Sequence, residues 1–250
     1  MRRPRDRRAK GVAATETGGI RHTGGTDPSR PGYHREVDLS GTQILLVAVT
    51  VAAVGALLVG IGRGVRPLEV WAKALASASF VALGADAWSA GSPVATCLLA
   101  GLVMAAAGDL LLLGDQTFDA GLAAFLLGHL AYVAAFWWAL PPWRWPGVPA
   151  VIIAAAAVAV ARWLWPSLGR RRLPVAAYIV VISLMVWGAL AVALRGLLPS
   201  VVAAGAILFY LSDLAVARHR FLSPAFINRA LGLPTYYAGQ VLIALTIAAA

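Results

Sequence analysis

TQILLVAVTVAAVGALLVGI, residues 42–61, contains no charged side chain. This run matches the roughly 20 apolar residues that cross a bilayer core of about 30 Å as an α-helix. Similar runs recur to the end of the chain, and they are continuously apolar and do not alternate, which disfavours a membrane β-barrel. We therefore predict an all-α, polytopic transmembrane bundle of eight helices, near residues 42–61, 67–88, 93–113, 118–140, 147–165, 174–194, 198–217 and 235–250.

The composition indicates that water is not the main solvent of this chain. Its 250 residues are 60% hydrophobic and 13% charged, whereas about a quarter of the residues of a soluble domain are charged. The basic residues behind the net charge of +10 lie in the N-terminal tail and in short connections. Lipid headgroups, and not nucleic acid, are therefore the expected anionic partner. We expect an integral, multi-pass protein of the bacterial cell membrane, and its oligomeric state stays open.

Two regions are expected along the chain. Residues 1–40 begin with a cluster of arginines and continue as a Gly-, Thr- and Pro-rich stretch. This tail is predicted to be disordered, because it cannot bury enough apolar surface to offset its chain entropy. Residues 41–250 are predicted to form the eight-helix domain.

The connections after helices 1, 3, 5 and 7 share one membrane face. We name it the arginine face, because it carries Arg63, Arg66, Arg170, Arg171, Arg172, Arg218, Arg220 and Arg229. Arginine-rich connections favour the cytoplasmic side. The basic tail, however, belongs to the opposite face with Arg144 and Arg195, so the sequence leaves the orientation open.

The acidic residues after Gly41 must each be explained against an apolar background. Asp109 lies four or five residues before the predicted end of helix 3, and Asp213 lies at the same distance from the predicted end of helix 7. Both helices run in the same direction, so the two carboxyls are predicted at similar depth, about one turn below the arginine face. A matched pair of costly buried acids favours a site. Glu69 is expected at the interface, and the remaining acids are expected to be solvated: Asp86, Asp115 and Asp119.

Further polar residues are expected around the two aspartates. Lys73 lies about two turns into helix 2 and enters from the arginine face, as does the start of helix 8. On helix 4, His129 belongs to a stripe at steps of three or four residues, where it is either a packing residue or part of the site. The stripe consists of Phe118, Gly121, Phe125, His129, Tyr132 and Phe136. The candidate supporting or substrate-binding residues are Lys73, His129, Tyr132, Ser212, Tyr236, Tyr237 and Gln240.

An internal repeat is one alternative for the architecture. Phe118 follows Asp109 by nine residues and Phe221 follows Asp213 by eight, each near the start of the next predicted segment. This pattern is consistent with two four-helix halves, and parallel repeats of this kind place binding sites at their interface.

Common catalytic motifs are absent from the sequence. It has no HExxH pattern, one cysteine, and widely spaced histidines, so no metal site is expected. It also lacks GxSxG and P-loop patterns. No cofactor is expected, and the carboxylate pair is the main candidate for chemistry.

The chain resembles the YhhN family of membrane proteins, whose animal members include lysoplasmalogenases. The resemblance spans about residues 70–250 and is carried by WAKALASASF (71–80), GDLLLLGDQTFDAGLAAFLLGHLAYVAAF (108–136), SDLAVARHRF (212–221) and LGLPTYYAGQVLIA (231–244). It implies eight helices and hydrolysis of the vinyl ether of a lysophospholipid, the lysoplasmalogen, to a fatty aldehyde and a glycerophospho-headgroup. The family's aspartates correspond to Asp109 and Asp213.

The residues suit this chemistry independently of the resemblance. A vinyl ether hydrolyses through protonation at carbon, which requires a neutral acid and a nearby anion, and two carboxyls in different environments supply both. The sequence does not indicate which aspartate is the acid. Basic loops would hold the substrate phosphate. The alternatives are a transporter or lipid-binding protein that uses the same acids, and a purely structural role for them.

Overall fold

The structure, a computed structural model, describes residues 39–250. It confirms the predicted all-α bundle for this part of the chain, and all eight helices are long and apolar enough to cross a membrane. The predicted tail lies outside the described residues, apart from Leu39 and Ser40. The helices are α1 (Gly41–Arg63), α2 (Arg66–Ala87), α3 (Pro93–Leu111), α4 (Phe118–Ala139), α5 (Gly147–Leu164), α6 (Arg172–Leu194), α7 (Val201–Phe221) and α8 (Phe226–Thr246).

The starts of the first three helices follow from their local sequence. The Ser40 hydroxyl accepts a hydrogen bond from the Gln43 amide at 3.2 Å, and the Gln43 side chain accepts one from the Ser40 amide. This reciprocal capping box fixes the start of α1. Pro67 and Pro93 lie in the first turns of α2 and α3, where a missing amide costs no helical hydrogen bond.

The bundle is built from three antiparallel pairs, α1–α2, α3–α4 and α7–α8. α8 also packs against α1, α2 and α3, and α4 packs against α6. α5 lies at the periphery, packs chiefly on α6 and buries only Leu164. The core is therefore closed by α8, the last helix, which joins the early helices to α7.

The predicted repeat of two four-helix halves stays a prediction. Phe118 is the first residue of α4, whereas Phe221 is the last residue of α7. The two rings nevertheless meet edge to face, with centroids 6.3 Å apart. Since α8 contacts α1, α2 and α3 as well as α7, helices of both proposed halves share one core.

The helix boundaries differ most from the sequence prediction at the connection between α7 and α8. α7 continues to Phe221 instead of residue 217, and α8 begins at Phe226 instead of residue 235. Both extensions carry polar residues that an apolar-run criterion excludes, and a helix can continue with such residues into the headgroup region. Pro234 therefore lies inside α8 and not at its end. The neighbouring Thr235 hydroxyl lies within hydrogen-bond distance of the Leu231 and Gly232 carbonyl oxygens, so it adds a donor to the turn that contains Pro234.

The α7–α8 crossing depends on two glycines. A Cβ atom on Gly239 would lie 2.8 Å from the Gly205 carbonyl oxygen and 3.1 Å from the Phe209 amide nitrogen. Both neighbours are backbone atoms, so the helices can approach this closely only without a side chain there. The crossing carries α8, and with it Tyr236 and Tyr237, into the core.

We expect Gly239→Ala to destabilise the protein by about 1–3 kcal/mol, because the added methyl group overpacks a backbone contact. The measurement is the midpoint of thermal unfolding in detergent. Gly55→Ala is the matched control, since nothing lies within 4 Å of a Cβ atom at that helical position. A Gly239→Ala protein as stable as the Gly55→Ala protein would contradict the close crossing.

Candidate functional site

Asp109 near the end of α3 is buried and has three donors around it. Lys73 Nζ on α2 lies 3.0 Å from Asp109 Oδ1. The Ser77 hydroxyl, one turn further along α2, donates to Oδ2 at 2.7 Å, and the Tyr237 hydroxyl of α8 donates to the same oxygen. An ammonium group and two hydroxyl donors together stabilise an ionised carboxylate in an apolar interior.

Asp213 on α7 has a different environment. The Tyr178 hydroxyl of α6 donates to Asp213 Oδ2 at 2.6 Å, and His129 Nε2 of α4 lies 3.7 Å from the same oxygen. His129 is 1% exposed, and its other ring nitrogen lies 2.6 Å from the Phe125 carbonyl oxygen. Within residues 39–250, no lysine or arginine nitrogen lies within 4.0 Å of the Asp213 carboxyl. The two acids therefore have different neighbours: Asp109 faces an ammonium group and two hydroxyl donors, whereas Asp213 faces a phenol and an imidazole.

Both aspartates line one cavity of about 360 Å³. Lys73, Ser212 and Tyr236 also line it, as do residues from the arginine-face ends of the helices. The latter are Arg66, Glu69, Asp115, His219, Arg220, Asn228 and Arg229. The cavity thus connects charged groups at the membrane surface with the two acids.

One side of this cavity is apolar, and we name it the apolar arm. Its wall is formed by Val160 and Leu164 of α5 and by Val175, Ile179 and Ile182 of α6. Leu164, Val175 and Ile179 form a buried cluster separate from the main core. The arm therefore lies under the peripheral helix α5, where a hydrocarbon chain would find an apolar wall.

The distances of the two aspartates from the ends of their helices differ from the sequence prediction. Asp109 lies two residues before the end of α3, whereas Asp213 lies eight residues before the end of α7. Eight residues correspond to about 12 Å of helix. The prediction of equal distances was wrong because α3 ends at Leu111, before the predicted residue 113, and because α7 extends past its apolar run through Arg218, His219 and Arg220. Tyr236 and Tyr237 likewise lie ten and eleven residues into α8, and not at its start.

The remaining predicted residues divide into two groups. Lys73 and Tyr237 contact Asp109 directly, and His129 lies beside Asp213. Tyr132 and Gln240 hydrogen-bond each other at 2.7 Å in the core and do not line the cavity. The predicted stripe on α4 is confirmed as a buried face, since all six of its residues are buried.

The other acids follow the prediction, with one exception. Asp86, Asp115 and Asp119 are exposed, and the last two pair with Arg220 and Arg171. Glu69, predicted at the interface, is only 7% exposed. Its burial is possible because Arg66 and Arg229 both contact its carboxylate.

Sequence reasoning missed Tyr178, Ser77 and the two arginines at Glu69. Tyr178 lies in the apolar run of α6, and a tyrosine buried in such a run needs a partner for its hydroxyl. This signal indicates that a partner exists but not which one. Ser77 follows Lys73 by four residues, on the same helical face, and this spacing is the available signal for it.

The site contains no obvious metal centre. Among the residues that the structure describes, no group of three or more His, Cys, Asp and Glu side chains is arranged to hold a metal ion. The chemical groups of the cavity are carboxyl, ammonium, guanidinium, phenol and imidazole side chains, which act in proton transfer and in binding of anions.

Comparison with known proteins assigns the chain to a family. The model of the YhhN family matches residues 68–247, which include all but the first two residues of α2, the whole of α3 to α8, and both aspartates. The chain belongs to the YhhN family. The family assignment and the eight apolar helices together make it an integral, multi-pass membrane protein.

Several curated relatives of this YhhN-family chain are named lysoplasmalogenases. Lysoplasmalogenase TMEM86B of Sus scrofa is 35% identical over 158 residues, 63% of this chain and 66% of the relative. The human TMEM86B protein is 38% identical over 153 residues, 60% of this chain and 63% of the relative. A lysoplasmalogenase of Mycobacterium bovis is 35% identical over 161 residues, 58% of each protein. The chain thus spans just under two thirds of these relatives. No solved structure matches it significantly.

We expect Lys73→Met to destabilise the protein by about 3–5 kcal/mol, because it leaves the Asp109 carboxylate buried without its cation. Adding Asp109→Leu should recover part of the loss, since no unpaired charge then remains. Thermal unfolding in detergent measures both changes. Arg171→Met, which breaks an exposed pair with Asp119, is the control and should change stability little. Equal effects of Lys73→Met and Arg171→Met would contradict a buried ion pair.

Proposed function

We propose that the protein is a membrane hydrolase that cleaves the vinyl ether bond of a lysoplasmalogen, releasing a fatty aldehyde and a glycerophospho-headgroup. The observation that carries this proposal is one cavity lined by two carboxyls in different environments, Asp109 beside an ammonium group and Asp213 beside an imidazole. The names of the porcine, human and mycobacterial relatives support the same activity. The mycobacterial relative also supports a bacterial cell membrane as the location.

We assign the role of proton donor to Asp213. Asp109 already faces an ammonium group and two hydroxyl donors, which favour its ionised form. Asp213 has a phenol and an imidazole as its neighbours, so it is the carboxyl better suited to retain a proton. Two carboxyls in unlike environments divide the roles of acid and anion in this way.

The reaction then follows in three steps. The Asp213 carboxyl transfers its proton to the second carbon of the alkenyl chain, and the first carbon becomes part of an oxocarbenium ion. The Asp109 carboxylate stabilises this positive charge. Water adds to the first carbon and returns a proton to Asp213. The resulting hemiacetal moves its hydroxyl proton to the ether oxygen and separates into aldehyde and glycerol hydroxyl, so the enzyme regains its starting state.

The surroundings suit a lipid substrate. The apolar arm under α5 offers a wall for the alkenyl chain, and the arginines that line the surface end of the cavity, Arg66, Arg220 and Arg229, offer cations for the phosphate. Tyr178 and His129 would position the Asp213 carboxyl, and Ser77 and Tyr237 would position that of Asp109. Ser212 and Tyr236 line the cavity and are proposed to contact the substrate, while Tyr132 and Gln240 support the core behind it.

The test of this proposal is aldehyde release from lysoplasmenyl-ethanolamine and lysoplasmenyl-choline by purified protein in detergent. We expect Asp109→Asn and Asp213→Asn each to lower kcat by about 100-fold or more, the usual contribution of acid–base catalysis. Asp119→Asn is the control, because this acid is exposed and does not line the cavity. A folded wild-type protein that releases no aldehyde, but transports lipid across the bilayer of proteoliposomes, would instead support the transporter hypothesis.

Filling the apolar arm should change the preferred chain length. We expect Val160→Trp to raise KM for long-chain substrates by about tenfold relative to short-chain ones, since steric exclusion of methylene groups discriminates on this scale. Aldehyde release from a series of chain lengths measures the change. Val158→Trp is the matched control, because Val158 lies on the exposed side of the same helix. An unchanged chain-length profile for Val160→Trp would refute this location of the chain.

A further inference from the structure

Three charged residues form a cluster at the surface end of the cavity, and we name it the Arg66–Glu69–Arg229 triad. Arg229 of α8 donates to Glu69 Oε1 of α2, and Arg66 Nη1 lies 3.3 Å from the same oxygen. Arg66 also donates to the Leu113 carbonyl oxygen between α3 and α4. All three residues of the triad line the cavity that contains Asp109 and Asp213. The triad therefore ties three parts of the bundle together at the cavity wall.

The triad carries an excess positive charge. Two guanidinium groups share the single carboxylate of Glu69, which gives a net charge of +1. The other arginine–acid pairs on this face within residues 39–250 are one to one, Arg220 with Asp115 and Arg171 with Asp119. A guanidinium has five N–H donors, and the contacts to Glu69 and Leu113 leave several of them available. The triad is thus complementary to a singly charged anion with several acceptor oxygens.

The buried carboxylate explains why these arginines are held in place. Glu69 is buried, with 7% of its surface exposed. The Glu69 carboxylate holds both guanidinium groups beside the cavity that they line. A guanidinium group binds phosphate through pairs of parallel N–H···O hydrogen bonds. An arginine without such a partner, in contrast, must lose side-chain freedom when it binds an anion.

The spacing along α2 relates the triad to the two acids. Glu69 precedes Lys73 by four residues, so the triad lies about 6 Å nearer the surface than the ion pair of Lys73 and Asp109. In a lysophospholipid, a three-carbon glycerol unit separates the ether oxygen from the phosphate oxygen. A lipid with its phosphate at the triad would therefore place its ether bond beside the carboxyls, with the chain directed toward the apolar arm.

We infer that Arg66 and Arg229, oriented by Glu69, bind the phosphodiester of a lysophospholipid and thereby position its ether bond between the two aspartates. The inference rests on the proposed function for its choice of a lipid, and it adds the residues that select the headgroup phosphate. It assigns Arg66 and Arg229 to binding and Glu69 to positioning.

The experiment measures equilibrium binding to purified full-length protein in non-ionic detergent, with two ligands that cannot be cleaved. One is a 1-O-alkyl lysophospholipid, which lacks the vinyl double bond, and the other is the 1-O-alkylglycerol of the same chain, which lacks the phosphate. The variants are Arg66→Gln and Arg229→Gln, and Arg171→Gln is the control because Arg171 does not line the cavity. Thermal unfolding checks that each variant is folded, and Arg229→Lys tests the guanidinium fork.

We expect Arg66→Gln and Arg229→Gln each to raise Kd for the lysophospholipid by about tenfold or more, the effect of losing a charge-assisted hydrogen bond. Kd of the same variants for the alkylglycerol should stay within about twofold of the wild-type value, since this ligand has no phosphate for the guanidinium groups to bind. Arg171→Gln should change neither, and Arg229→Lys should fall between wild type and Arg229→Gln. Equal losses for both ligands, or no loss for the lysophospholipid, would overturn the inference.

The same assay separates a lipid headgroup from a soluble phosphodiester. If glycerophosphoethanolamine binds as tightly as the lysophospholipid, the assignment to a lipid is wrong; much weaker binding supports it. Because no step requires cleavage, the result is independent of the hydrolase proposal. Absence of aldehyde release would remove the proposed activity while phosphate-dependent binding would still support the triad.

Discussion

The ion pair of Lys73 and Asp109 is the interaction on which the site depends. A carboxylate in a membrane interior is costly, and it persists only where a cation and hydrogen-bond donors surround it. Lys73 and Ser77 approach from α2, and Tyr237 approaches from α8. The pair thus requires α2, α3 and α8 to meet at one point. These three helices pack against one another and satisfy this requirement.

The position of α8 follows from that requirement. Its close crossing with α7 at Gly205 and Gly239 leaves the opposite side of α8 free to contact α2 and α3. Tyr236 then packs against Phe80, Phe125 and Phe209, and its hydroxyl donates to the Ala105 carbonyl. Phe125 and Tyr236 of this aromatic cluster line the cavity. The two carboxyls therefore share one space although 104 residues separate them in the chain.

The sequence predicted the parts of the site that are chemically rare. Asp109, Asp213 and Lys73 were identified because charged residues in apolar runs are uncommon and must face partners. Tyr178 and Ser77 were not, since tyrosine and serine occur throughout membrane helices and their hydroxyls need only one acceptor. The burial of Glu69 was also missed, because its second partner, Arg229, lies 160 residues away on a part of α8 that the hydropathy pattern excluded. Local patterns thus located the acids, while the long-range contacts that orient them required the fold.

The measurement that tests the acid-pair mechanism most directly is isotope incorporation during cleavage of lysoplasmenyl-ethanolamine by the purified protein. In D₂O, protonation at carbon predicts an aldehyde with one deuterium on its second carbon, and a solvent isotope effect on kcat. In water labelled with ¹⁸O, cleavage on the alkenyl side predicts a glycerophospho product without label. An aldehyde without carbon-bound deuterium, or a label in the glycerol product, would contradict the mechanism.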